Sequence, residues 1–197
     1  MRSRRLVALA IVCAVGGGLG YVVGCGSRTD DGAQSGRRVT ELPQPGPELS
    51  QDLMLGLALA WNYHHKADVY LKEARFDEAV AALRQIVSIQ FPAGSPEGVD
   101  VVQDARARLA KLLVTKGQLD DALAVVDEGI ASATRQSFFL ANLHTVRGDV
   151  LEARAVMIEE RDKPAAVIAR RQAIEAFDRS IAIEKALIEQ LAGGQEQ

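Results

Sequence analysis

Apolar residues recur at three- and four-residue intervals through Phe76, Ala79, Val80, Leu83, Ile86 and Val87, with charged and polar residues between them. That spacing turns one face of a 3.6-residue helix toward a core. The pattern returns at Val102, Ala105, Leu109, Leu112 and Leu113, and again at Leu119, Ala122, Leu123, Val126 and Ile130. Breakers divide these stripes into elements. Ser50 is a predicted N-cap for a helix running to about Ala74. The stretch Phe91-Pro92-Ala93-Gly94-Ser95-Pro96 interrupts the second stripe, and Ser95 with Pro96 supplies a cap and first-turn residue for the next helix. Gly117 ends that helix. A long helix is predicted from about Gln136 to Arg161, a turn at Asp162-Lys163-Pro164, and a final helix to about Leu191. No segment alternates like a strand, so the body is expected to be all-α with six helices.

The helices repeat. Phe76-Asp77-Glu78-Ala79-Val80-Ala81-Ala82-Leu83 returns 43 residues later as Leu119-Asp120-Asp121-Ala122-Leu123-Ala124-Val125-Val126, and more loosely as Ala173-Ile174-Glu175-Ala176-Phe177. Units of this size cannot bury their apolar faces alone and must stack. The pattern resembles the tetratricopeptide repeat, which places small residues where helix backbones approach and large ones in the adjoining gaps. By that resemblance copy one offers Ala67, Tyr70, Ala79 and Leu83, and copy two Ala110, Leu113, Ala122 and Val126. Copy three offers Gly148 and Leu151, then Ala173 and Phe177. The implied fold is an α-solenoid of about three helical hairpins. The family's tryptophan position holds Tyr63 in copy one and Arg106 in copy two, and its closing proline is displaced to Pro92. The excess spacing is assigned to the Phe91–Asp100 loop. Copy three carries a longer insertion between Gly148 and Ala173, which adds about two turns to each helix and predicts a last hairpin projecting beyond the stack. Its apolar residues Ile183, Leu187 and Leu191 are expected to be exposed and to need a cover.

The ends of the chain read differently. Met1–Arg5 is basic, Leu6–Val15 is an unbroken apolar run, and Val22-Val23-Gly24-Cys25 follows a glycine-rich exit. This is the layout of an export signal. Its last four residues resemble the lipobox of bacterial lipoproteins, which implies acylation of Cys25 and cleavage after Gly24. Gly26, where aspartate would retain such a protein at the inner membrane, favours the outer membrane. Two alternatives stay open, cleavage elsewhere and an uncleaved anchor. Leu6–Gly24 would reach roughly 28 Å as a helix, close to a bilayer core, and Gly16, Gly20 and Gly24 have the spacing that lets membrane helices approach. All three export the body. Residues 1–24 are thus read as signal or anchor, 25–49 as a disordered tether rich in Gly, Pro and Ser, 50–192 as the helical domain, and 193–197 as a disordered tail. The tether would span about 25–30 Å.

The formal charge of −3 becomes more acidic without Arg2, Arg4 and Arg5, and no basic tract is present. Nucleic acid is therefore not an expected partner. Cys13 and Cys25 are the only cysteines, so the body has no disulfide framework or thiolate metal site. His64 and Asp68 could share an ion, but further ligands are missing. No phosphate-cradling glycine loop, nucleophile elbow or zinc-protease helix occurs. Arg147-Gly148-Asp149 lies inside a predicted helix and reads as packing. The chain is expected to be no enzyme and to need no cofactor or metal.

The resemblance also implies a groove lined by the first helix of each pair. Copy one would contribute Trp61, His64, Asp68, Leu71 and Lys72, and copy two Asp104, Ala107, Lys111, Val114 and Thr115. Copy three would contribute Asn142, Thr145, Asp149, Glu152 and Ala153. Trp61 either anchors a partner there or packs at the start of the stack. The family's clamp for carboxylate-ended tails needs lysine and asparagine where His64 and Asp68 stand, so that specialisation is not implied. The sequence thus points to a membrane-tethered scaffold of the cell envelope that binds other envelope proteins or peptides. The alternative is a structural homo-oligomer, built through the last hairpin or through a retained glycine-spaced anchor.

Overall fold

The computed structural model describes residues 50–193, and within them the chain is entirely helix and connecting turns. The helices are α1 Gln51–Lys72, α2 Phe76–Val87, α3 Pro96–Thr115, α4 Leu119–Ala131, α5 Phe138–Ile158 and α6 Lys163–Gly193. The signal or anchor with Cys25 and Gly24, the tether, and residues 194–197 lie outside the described residues. Among those described, no helix is long and apolar enough to cross a membrane.

Local chemistry sets the boundaries. Ser50 Oγ accepts the Leu53 amide at 3.2 Å and Ser137 Oγ accepts the Leu140 amide at 3.1 Å, so each hydroxyl satisfies an orphan donor of the first turn. Asp162 Oδ1 does the same for the Ala165 amide. Ser95 precedes α3, but its hydroxyl donates backward to the Pro92 carbonyl at 2.8 Å instead of capping the helix. It closes the Phe91–Ser95 loop, and Pro96 starts the helix by its fixed φ.

The first two hairpins turn in the same way. Arg75 N–H donates to the Tyr70 carbonyl and Ala74 N–H to that of Leu71; 43 residues on, Gln118 donates to Leu113 and Gly117 to Val114. These paired bonds end a helix through a residue in the left-handed region. Gly117 adopts φ +74° there, and Ala74 adopts φ +56° in the equivalent place.

Each hairpin packs on the next. α1 touches α2 and α3, α3 touches α2, α4 and α5, and α5 touches α4 and α6. The odd helices therefore contact one another, while the even ones contact only odd helices. The stack closes on the odd-helix side and fans open on the other, which leaves α1, α3 and α5 lining its inner face. This is an all-α helical solenoid.

Ala67, Ala79, Ala110 and Ala122 are fully buried, with Leu83, Leu113 and Val126 beside them. Tyr70 is half-buried against the same core. Methyl-sized side chains let the backbones approach and the leucines fill the space beside them. Arg106 is buried in the position of the family's tryptophan. One guanidinium nitrogen donates to Glu128 at 2.9 Å, and its Nε and Nη1 have no partner among the described residues. Its stem passes close to Gly129, where a β-carbon would come within 3.2 Å of Arg106 Cδ.

Two apolar positions depart from the periodic reading. Phe76 opens α2 and is exposed, whereas Leu119, which opens α4 at the equivalent place, is buried. Ile183 is buried, since its face of α6 packs along α5; Leu187 is half-buried and Leu191 exposed. In the last hairpin, Ala173 is buried and Phe177 half-buried against Gly148, while Leu151 is in the core. Toward the hairpin's tip, Ala155, Ala166 and Ala169 form a second cluster with Ile158, separate from the main core. The last hairpin thus carries a small core of its own, and α6, at 31 residues, is its lengthened helix.

Candidate protein-binding groove

Trp61, His64, His65 and Asp68 fall at three- and four-residue spacing and share one side of α1. Trp61 is 64% exposed, and its indole meets the His65 ring edge-on with centroids 4.0 Å apart. It does not pack into the start of the stack. Across from this side, Arg108 of α3 donates from Nη1 to His64 Nδ1 at 2.6 Å and from Nη2 to Asp68 Oδ1. His64 Nδ1 can only accept from a guanidinium, so the imidazole carries its proton on Nε2, which faces Asp104 Oδ2 at 3.7 Å. Burial, then the Arg108 charge, lowers the His64 pKa below its ordinary 6.5. The ring thus links α1 to α3 through Arg108 and Asp104. The cation between His64 and Asp68 is Arg108 itself. Among the described residues no group of three or more His, Cys, Asp or Glu could hold a metal ion.

Farther along, Lys111 of α3 is exposed and close enough to Asp149 of α5 to stabilise its charge. Partial burial is the larger effect and raises the Asp149 pKa, with Glu152 adding to it. Lys72 and Thr115 are exposed, Asn142 is half-buried, and Glu152 is exposed.

Five of the residues assigned to the groove belong elsewhere. Ala107 is fully buried, and Leu71 and Ala153 pack against the main core. Thr145 shares a 2.9 Å hydrogen bond with Ser180 and so faces α6. Val114 also packs on the core and is half-buried. Two others take up the inner face, Arg108 and His65. Arg108 stands four residues beyond Asp104 and thus on its helical face, a relation visible in sequence; its two contacts on α1 are not. The tripeptide Arg147-Gly148-Asp149 is divided by the helix, with Arg147 bonded to Asp127 at 2.7 Å, Gly148 against Phe177 and Asp149 toward solvent.

The comparison with known families agrees with this geometry at one place. The tetratricopeptide-repeat model matches residues 62–91. Those residues hold a tetratricopeptide repeat. They run from the middle of α1, through the turn at Ala74 and all of α2, to Phe91 in the following loop. No curated protein and no solved structure matches the chain. Such repeats are protein–protein interaction scaffolds and generally non-catalytic, and the inner face described above is the surface such a scaffold offers.

Proposed function

We propose that this chain is a membrane-tethered, non-catalytic adaptor of the bacterial envelope, and that α1, α3 and α5 hold a segment of a partner protein. The observation that carries the reading is Trp61. A large aromatic left mostly in water on the inner face, beside a mixed array of Asp68, Arg108, Asp104 and Lys111, has the composition of a binding hot spot with a polar surround. The alternating charges suit an extended or helical peptide that is neither strongly acidic nor strongly basic. The export signal and the lipobox-like Val22-Val23-Gly24-Cys25 support attachment through Cys25, with the body facing the periplasm from the outer membrane. Two or more acyl chains give stable attachment where one does not.

Crosslinking in intact cells followed by affinity capture tests the groove. Trp61→Ala and Lys111→Glu should each reduce the captured partner without lowering the melting temperature, because both side chains are exposed. Unchanged capture by both variants removes the groove assignment. Intact mass of the detergent-extracted protein tests the anchor, since acylation at Cys25, cleavage elsewhere and retention of the first 24 residues give different masses.

A further inference from the structure

Among the described residues no helix precedes α1 or follows α6, and the two faces left there correspond to the two halves of the internal joint. On the last helix, Ile174 is 60% and Ile181 47% exposed. Counting from the buried alanines Ala79, Ala122 and Ala173, Ile174 stands where copies one and two hold Val80 and Leu123. Ile181 stands where they hold Val87 and Ile130. All four of those residues are packed against the core, on even helices that meet the following hairpin. Nothing follows α6 among the described residues, so its isoleucines stay in water.

The first helix shows the converse. Leu59 and Val69 of α1 are about half exposed, whereas their equivalents in α3 are the half-buried Val102 and the buried Leu112. The equivalents differ because α3 has a hairpin before it. Charge decides what fits. Inside the stack the joint between α4 and α5 is crossed by Arg147 Nε to Asp127 Oδ1 at 2.7 Å. The residue at the Arg147 position in copy one is Lys66, and the residue at the Asp127 position in copy three is Asp178. Both are exposed, and neither has an ion-pair partner among the described residues. Isoleucines meet Leu59 and Val69, and an anion meets a cation, when α1 of one copy is placed on α6 of another.

We propose that copies of this chain associate head to tail, α6 of one against α1 of the next, with Asp178 paired to Lys66 as Asp127 pairs to Arg147 within each chain. The contact joins two different surfaces, so it is heterologous and can add further copies at either end. Asn62, where α3 holds the buried Ala105, makes this joint weaker than the internal ones and therefore reversible. The inference is independent of the groove.

The test is sedimentation of the full chain in non-ionic detergent over a range of concentrations. The unaltered chain should associate progressively. Lys66→Glu and Asp178→Lys should each weaken association about fivefold to tenfold, with an unchanged melting temperature. An equimolar mixture of the two variants should recover it, since each joint then meets an opposite charge. A monomer at every concentration overturns the proposal. So does association that neither charge reversal weakens, which would place the contact between two α6 helices or at the anchor.

Discussion

Gly148 of α5 lies directly against the ring of Phe177 in α6: a β-carbon on the glycine would sit 2.5 Å from Phe177 Cε1 and 2.6 Å from Cζ. The two residues hold the last hairpin together where the longest helix meets α5, the one described helix it packs on.

Gly148→Ala is expected to destabilise despite its better helix propensity. The propensity gain is up to about 1 kcal/mol, while overpacking costs about 1–3 kcal/mol. Thermal unfolding of Gly148→Ala beside Gly148→Ala/Phe177→Leu checks the cause. Recovery in the double variant assigns the loss to the ring; equal losses assign it elsewhere.

The turns at Ala74 and Gly117 make a matched pair. Both residues are left-handed, and only one is glycine. A β-carbon costs roughly 1–2 kcal/mol in that region, so Ala74→Gly should raise stability by about 0.5–1 kcal/mol and Gly117→Ala should lower it by a similar or larger amount. Denaturant midpoints of the two variants should move in opposite directions.

Arg106 should be replaceable at a gain. Among the described residues its Nε and Nη1 are buried without partners, and Glu128, its one partner there, is 70% exposed. Arg106→Met keeps the aliphatic stem and removes the unpaired donors, and such exchanges are often neutral or stabilising by about 1 kcal/mol or more. A clear fall in melting temperature would mean that the guanidinium has partners other than Glu128.

Stability should fall as pH drops below about 6.5. His64 and His144 both have pKa values lowered from 6.5, in each case chiefly by burial, with Arg108 acting on His64 and Arg179 on His144. The unfolded chain therefore binds protons at a pH where the folded chain does not, and stability is lost between 6.5 and the lower folded values. His64→Gln should flatten the dependence of melting temperature on pH across that window. Asp149 acts with the opposite sign: its pKa is raised, so its contribution grows as pH falls toward 4. An unchanged profile in His64→Gln would assign the loss to other groups.

What the sequence determined by itself is the repeat. Three-residue and four-residue apolar spacing defines the six helices, and the return of Ala79 as Ala122 and Ala173 sets the hairpin register, because helical periodicity and close backbone approach are local demands on residue size. The insertion before Ala173 likewise foretold a longer last hairpin, but the added length falls to α6 with 31 residues, while α5 with 21 matches α1 and α3. Only the tertiary structure decided which side of each helix is free. Periodicity cannot tell Ile183, held on α5, from Ile181, left in water two residues away, nor place Arg108 between His64 and Asp68. Exposure depends on whether another hairpin follows, and a cross-helix ion pair depends on the separation of two helices. Both are properties of the stack, set by contacts between residues far apart in the chain.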